Sequence, residues 1–226
     1  MSEEEFEKAG KRWHQLLELD RTEAIAQACR GSGDPAALAW LAEGLRLQEG
    51  ARVLDIGGGL GGPSAWLVDR YRVRALPTDP VLAGLVGAHR VFGLPAAAAD
   101  GAALPFPDGS FDATLILAVL SVVDDPVAVL REACRLAPVC GILAYVAAGP
   151  DAVRCGGSRF PSRNEAGRWI EEAGLELVAG PAEIDLPAPP GWADENDSDD
   201  PSEDEVIAAI GEGRIGPAVL LAQRRP

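Results

Sequence analysis

Residues 53–64 could form a site for a nucleotide-like ligand that carries an anionic group. They read Val-Leu-Asp-Ile-Gly-Gly-Gly-Leu-Gly-Gly-Pro-Ser. The apolar residues predict a buried parallel strand with Asp55 at its end. Glycines let a backbone turn tightly and approach a ligand, and Pro63 suits the first turn of a helix. The glycines placed to do so are Gly57, Gly58, Gly59 and Gly61. A strand, a glycine turn and a helix N-terminus together favour an anion.

The glycine pattern is compatible with two ligand classes. Gly57, Gly59 and Gly62 satisfy the G-x-G-x-x-G spacing of dinucleotide-binding proteins. Residues 55–61 also resemble the D-x-G-x-G-x-G motif of methyltransferases that use S-adenosylmethionine (SAM). A glycine-rich loop that binds nothing is a third interpretation. Features further along the chain must decide among them.

A second carboxylate follows the next predicted strand. Asp79 lies seventeen residues after Gly62 and precedes Pro80. A carboxylate at this place can accept hydrogen bonds from both hydroxyls of a ribose, in NAD or in SAM. The alternative is an Asp-Pro turn with a purely structural role.

The segment that separates these ligands is residues 100–112, Asp-Gly-Ala-Ala-Leu-Pro-Phe-Pro-Asp-Gly-Ser-Phe-Asp. It resembles the Asp-Ala-x-x-Leu-Pro-Phe-x-Asp-x-Ser-Phe-Asp segment of class I SAM-dependent methyltransferases of small-molecule type, and dehydrogenases have no such segment. Residues 124–143 resemble the helix and turn before the fifth strand of that family, with Cys140 where glycine is usual. Residues 165–178 resemble the entry to its sixth strand.

The resemblance implies SAM as the cofactor and a role for each matching residue. Asp55 would orient the turn and meet the ammonium of SAM, while the glycine turn would approach its carboxylate. Asp79 and Pro80 would contact the ribose side. Asp100 and Gly101 would contact the adenine amine. Leu117 would form an apolar wall. No metal ligand is implied.

The elements needed to position these residues follow from periodicity. Helices are expected at residues 3–19, 21–30, 35–45, 62–70, 80–92, 126–136, 163–173 and 203–211. Strands are expected at residues 51–56, 73–78, 95–98, 112–117, 141–147, 175–184 and 216–223. This alternation predicts a Rossmann-like, doubly wound α/β sheet. The resemblance implies seven strands, the last of them antiparallel.

We predict one methyltransferase-like domain over residues 1–226. Residues 1–48 would form an N-terminal helical cap, and residues 187–213 an acidic loop and short helix insertion.

The catalytic chemistry is less clearly encoded. After the fourth strand the family often reads Glu-x-x-Glu-His-x-x-Asp, whereas residues 118–125 here read Ala-Val-Leu-Ser-Val-Val-Asp-Asp. His14 is a candidate for the catalytic base, and an ordinary exposed side chain is the alternative. The resemblance implies in-line methyl transfer to a small molecule, supported by proximity and exclusion of water. The alternative is a SAM-binding relative that does not methylate, either a cyclase-like enzyme or a binding protein. The N-terminal helices and residues 148–163 are expected to select the acceptor.

Composition limits the partners. A net charge of −15 argues against binding to nucleic acid or to an anionic membrane surface. Eight acidic residues fall within residues 193–205, which indicates a solvated loop or, alternatively, a lid or docking surface. Four cysteines without a C-x-x-C motif suggest buried thiols, with a metal site or disulfides as the alternative. An acidic N-terminus and the lack of an 18-residue apolar run favour a cytoplasmic protein.

Overall fold

The computed structural model describes residues 13–29, 35–182 and 201–225. Its main sheet has seven strands in the order β3-β2-β1-β4-β5-β9-β8. They are β1 Arg52–Ile56, β2 Arg74–Asp79, β3 Ala97–Ala98, β4 Ala113–Leu117, β5 Val139–Ala147, β8 Leu175–Ala182 and β9 Ile215–Arg224. The remaining strands, β6 Val153–Cys155 and β7 Ser158–Phe160, form an antiparallel hairpin.

Seven helices of the described ranges connect or cover these strands. They are α1 Arg21–Ala28, α2 Pro35–Gly44, α3 Gly62–Tyr71, α4 Leu82–Phe92, α5 Pro126–Leu136, α6 Arg163–Glu172 and α7 Pro201–Gly211. Asp20 caps the N-terminus of α1, since its carboxylate accepts hydrogen bonds from the Thr22 and Glu23 amides. Of the predicted helix at residues 3–19, the structure describes a short helical stretch at residues 13–16, and residues 3–12 lie outside the described ranges.

The strand directions confirm the predicted fold class. Strands β1 to β5 run parallel, and β9 runs antiparallel to both β5 and β8. Apolar side chains fill both faces of the sheet. One core contains Leu38, Leu67 and Leu115, and the other contains Ile116, Leu130 and Ile170. Helices therefore cover both faces, and the carboxyl ends of the parallel strands are left at one open edge.

The sequence did not predict the β6–β7 hairpin. Its turn is formed by Gly156 and Gly157, which have φ values of +54° and +73°. Positive φ at both central residues is what a tight two-residue hairpin turn requires. The hairpin interrupts residues 148–163, which were expected only to select the acceptor.

Three of the four cysteines, Cys29, Cys134 and Cys140, are buried free thiols, and Cys155 is partly buried. No helix within the described ranges is long and apolar enough to cross a membrane.

Candidate functional site

The site lies at the carboxyl edge of the sheet, where the strand order reverses between β1 and β4. In open α/β sheets this switch point is the usual place for a ligand. Strand register brings the candidate residues together, because Ile56 pairs with Thr78, and Asp79 pairs with Ala98. The glycine loop (residues 57–62) therefore lies beside Asp79 and the segment that begins at Asp100.

Hydrogen bonds to the end of β2 fix the glycine loop. The amides of Gly57 and Gly58 both donate to the Thr78 carbonyl, at 2.8 and 2.9 Å. The Gly59 amide donates to Asp79 Oδ2 at 3.1 Å, and the Val81 amide donates to Asp79 Oδ1 at 2.8 Å. Burial raises the pKa of Asp79, and the two amide bonds oppose that rise. Asp79 thus positions the loop while remaining only partly buried.

Close packing also requires glycine at several positions of the loop. Gly57 has φ +77°, and a Cβ there would lie 2.3 Å from Val119 Cγ2. A Cβ on Gly58 would lie 2.7 Å from Pro77 Cβ. Gly61, with φ +76°, begins α3 and packs against Ala88 and Leu94. A Cβ on Gly59 would have only Asp79 Oδ2, at 4.0 Å, within contact range. Gly59 is therefore the most open of the predicted loop glycines.

Asp55 lies behind the loop. It is 1% exposed, and its Oδ2 accepts a hydrogen bond from Ser64 Oγ at 2.8 Å. Burial raises the pKa of Asp55 to about 6; the Ser64 hydrogen bond opposes this rise, and the charge of Asp79 adds to it. The geometry supports the predicted role in orienting the turn. It does not favour direct contact with a ligand ammonium, because the carboxylate is covered.

Ser64 was not singled out from the sequence. It is completely buried in the first turn of α3, nine residues after Asp55. The sequence does contain a signal for this contact. Ser64 is a hydroxyl residue in the first helical turn after the glycine loop, and the strand before that loop ends in a carboxylate.

Asp100 and Gly101 lie after β3. Asp100 Oδ1 accepts from the Ala102 amide at 2.9 Å, so the carboxylate shapes its own turn and remains exposed. A Cβ on Gly101 would approach Ile56 Cγ2 to 3.0 Å, which places this turn against the end of β1. Pro80 is also exposed, beside Asp79.

The segment after Asp100 is held by one arginine of α5. Arg135 donates to the Phe106 and Leu104 carbonyls at 2.7 and 3.0 Å and also pairs with Glu132 and Asp108. Glu132 in turn accepts from the Leu104 amide at 2.8 Å. The motif that resembled methyltransferases therefore has a structural task, which is to fix the chain between Asp100 and β4.

The structure places Leu117, the predicted apolar wall, within the core. Leu117 is 3% exposed and packs with Leu115 and Leu143. The residue just after β4 whose apolar side chain contacts the glycine loop is Val119, two residues later. Between them Ala118 has φ +59° and donates to the Leu143 carbonyl at 2.8 Å. This strained residue turns the chain out of β4.

The post-β4 loop (residues 118–125) forms the other side of the site. Its Ser121 carbonyl accepts from the Arg159 amide at 2.9 Å, which fastens the loop to the hairpin. The Asp125 carboxylate caps α5 by accepting from the Ala128 amide. Arg159 itself pairs with Glu165 and stacks over Trp169, so its guanidinium already has partners.

The hairpin and α7 share a small apolar cluster formed around Phe160, Ala209 and Ile215. The Gly156 amide donates to Glu205 Oε2 at 2.7 Å. A Cβ on Gly156 would lie 2.1 Å from the Ser202 carbonyl oxygen. We call this unit, residues 153–160 with α7, the hairpin–helix unit. Of the predicted acidic loop and helix insertion at residues 187–213, residues 187–200 lie outside the described ranges.

His14 lies on the short helical stretch at residues 13–16. It is exposed and stacks on Trp13 with ring centroids 3.7 Å apart. Trp13 is buried against α4, where Arg90 lies 5.0 Å from its ring centroid.

A family model described as a methyltransferase domain matches residues 54–145, which hold the glycine loop, Asp79, Asp100 and β4. Over these residues the chain is similar to methyltransferase domains. The match agrees with the family that the sequence motifs resemble. The matched stretch includes every cofactor-binding residue predicted from the sequence.

One curated relative is the ubiquinone/menaquinone biosynthesis C-methyltransferase UbiE of Stenotrophomonas maltophilia, 36% identical over 105 residues. That alignment spans 42% of this chain and 42% of the relative.

Solved structures share the fold. The [4+2]-cyclase SpnF has a TM-score of 0.67 and 22% identity, with 84% of this chain and 80% of SpnF covered. Geranyl diphosphate C-methyltransferase from Streptomyces coelicolor A3(2), solved with S-adenosyl-L-homocysteine (SAH), has a TM-score of 0.66 and 18% identity, with the same coverage. At these identities the likeness shows the Rossmann-like methyltransferase fold.

Proposed function

We propose that this protein is a SAM-dependent methyltransferase that acts on a small molecule. The observation that carries the proposal is the Asp79 carboxylate. It holds the Gly59 amide at 3.1 Å and lies at the switch point, beside the exposed Asp100 turn. The curated relative is named as a C-methyltransferase of ubiquinone/menaquinone biosynthesis, and several neighbours of the same fold are named as geranyl diphosphate methyltransferases, three of whose structures contain SAM or SAH.

The described residues fit this cofactor. Asp79 has lone pairs left to accept from ribose hydroxyls, since each oxygen accepts one amide bond. Asp100 and the Gly101 backbone would hold the adenine edge, with Pro80 and Val119 as apolar neighbours. The start of α3, after Gly61, would favour the cofactor carboxylate through the helix dipole. When bound, SAM supplies a methyl group activated by a positively charged sulfur.

The chain's own contribution to the reaction would be to orient the acceptor and to exclude water. The post-β4 loop provides Ser121 and Asp124 but neither glutamate nor histidine, and Asp125 is occupied as a helix cap. An acceptor that needs no base, or one that loses its proton to His14, fits this loop. We therefore retain His14 as the candidate base.

The proposal is tested by calorimetry with SAM, SAH and NAD, and by transfer of label from methyl-labelled SAM to metabolites of a cell extract. We expect saturable binding of SAM and SAH, no binding of NAD, and a product that gains one methyl group. Saturable NAD binding without SAM binding would overturn the proposal. Unchanged turnover in His14→Ala would remove the histidine from the mechanism.

A second function is favoured by the post-β4 loop together with the cyclase among the neighbours. In this case SAM would bind as a structural or electrostatic element and would not be consumed. Tight SAM binding without label transfer to any acceptor would support it over methyl transfer.

A further inference from the structure

The buried carboxylate of Asp55 packs against the glycine loop. Asp55 is 1% exposed, and a Cβ on Gly58 would lie 2.9 Å from its Oδ2. The same oxygen accepts the Ser64 hydroxyl. The Asp55 carboxylate therefore lies against the backbone of the loop that would approach the proposed cofactor.

A second carboxylate, Asp79, holds the front of the same loop through the Gly59 amide. Among the described residues, neither Asp55 nor Asp79 forms an ion pair with an arginine or lysine. Two negative charges without a cationic partner thus flank a single loop. Such an arrangement favours a ligand that brings positive charge.

We propose that Asp55 is a specificity-determining residue, which makes the site prefer SAM, whose sulfur is positively charged, over SAH, whose sulfur is neutral. At mildly acidic pH, SAM binding would therefore release a proton from Asp55. This inference rests on the proposed function, because it assumes that SAM occupies the loop. Asp55 would act through its charge and without touching the cofactor. The benefit would be weaker retention of the product SAH after methyl transfer.

The groups around Asp55 determine the pH range in which its carboxylate gains or loses a proton. It is faced by Ser64 from α3, by Cys29 at the end of α1 and by Asp79 from β2. Burial raises the pKa of Asp55 to about 6. Burial and the Asp55 charge raise the pKa of the Cys29 thiol, so this thiol stays neutral throughout. A cation in the loop would stabilise the ionised carboxylate, and the proton released would pass to the buffer.

The experiment measures SAM and SAH affinity by calorimetry at about pH 7.5 and about pH 5, each in two buffers of different ionisation enthalpy. If ionised Asp55 is the form that binds SAM, affinity for SAM should fall about tenfold between these pH values, because about a tenth of Asp55 is ionised at the lower one. The fall for SAH should be smaller. Proton release should accompany SAM binding at about pH 5.

Asp55→Asn should remove the difference in pH dependence between SAM binding and SAH binding, and it should bring the affinities for SAM and SAH closer together. The matched control is Asp112→Asn, at the opposite end of β1, where Asp112 pairs with Arg52 at 3.0 Å. It should keep the wild-type pH response. His14→Gln and His89→Gln, which remove the two imidazoles of the chain one at a time, should also keep the wild-type pH response, and together they exclude imidazole titration as the cause. If Asp55→Asn does not fold, the proton count of the wild-type protein decides the question.

The outcomes separate the two proposals. Failure of the wild-type protein to bind SAM or SAH at either pH would contradict the proposed function. Binding of both with the same pH dependence and without proton release would overturn the inference about Asp55 alone. Retention of the wild-type pH response in Asp55→Asn would do the same.

Discussion

The glycine loop and the post-β4 loop lie at the same edge of the sheet but are held in different ways. The glycine loop is fixed from within the sheet, since Thr78 and Asp79 of β2 accept its amides and Asp55 of β1 lies beneath it. The post-β4 loop is instead held by the β6–β7 hairpin, which lies outside the main sheet, because the Arg159 amide donates a hydrogen bond to the Ser121 carbonyl.

The two sides also differ in polar content. The glycine-loop side contains two carboxylates, a buried hydroxyl and a second turn shaped by Asp100. The post-β4 side is mostly apolar, and its acid Asp125 serves a helix end. Under the proposed function, cofactor binding would depend on the parallel sheet and acceptor choice on the hairpin–helix unit. The following substitutions test this division, from the largest expected effect to the smallest.

Gly57→Ala should give the largest effect. A Cβ there would lie 2.3 Å from the stiff Val119 side chain, at φ +77°. Left-handed strain and overpacking together should lower the free energy of unfolding by about 3–4 kcal/mol, with loss of SAM binding. Urea unfolding and calorimetry measure both.

The matched control is Gly109→Ala, at φ +66° with no atom within 4 Å of the added Cβ. It should cost about 1–2 kcal/mol from strain alone and leave SAM affinity unchanged. Equal losses in the two variants would mean that Val119 does not hold the loop.

Asp55→Asn should change how stability depends on pH. The pKa of Asp55 is about 6 in the folded protein against an ordinary value of 3.8, so the folded state holds the proton more tightly. The stability of the wild-type protein relative to the variant should therefore fall as pH rises from about 4 to 6, by about 3 kcal/mol, and level off above. Parallel stability curves, measured by urea unfolding at each pH, would contradict the burial effect.

Gly156→Ala should disturb the hairpin–helix unit alone. Its Cβ would meet the Ser202 carbonyl at 2.1 Å, so α7 must shift, and we expect a loss of about 2 kcal/mol. SAM affinity should stay within twofold, or about 0.4 kcal/mol. Gly157→Ala, at φ +73° in open space, is the matched control for strain. A large loss of SAM affinity in Gly156→Ala would break the proposed separation of the two sides.

Asp79→Asn should weaken SAM binding about tenfold, or about 1.4 kcal/mol. An asparagine side chain is neutral and accepts hydrogen bonds through one oxygen, whereas the carboxylate is charged and accepts through two. Calorimetry measures this loss, and Asp112→Asn is the distant carboxylate control. An unchanged affinity would exclude Asp79 as a direct ligand of the cofactor.

The sequence by itself determined the fold class, the resemblance to class I methyltransferases and the chain positions of the cofactor-binding candidates. Strand periodicity, the glycine run and Asp79 are local signals, and parallel strands bring their carboxyl ends to a common edge wherever such signals occur. Their contacts with cofactor, the single-domain organisation and the cytoplasmic location stay predictions.

Only the tertiary structure decided which side chains face the site. Periodicity could not show that Leu117 packs inward while Val119 meets the loop, because Ala118 adopts φ +59° between them. It could not show the Asp55–Ser64 bond or the Glu205–Gly156 bond, which join residues 9 and 49 positions apart. Such contacts depend on how helices and hairpins pack on the sheet, and no local pattern of residues encodes that packing.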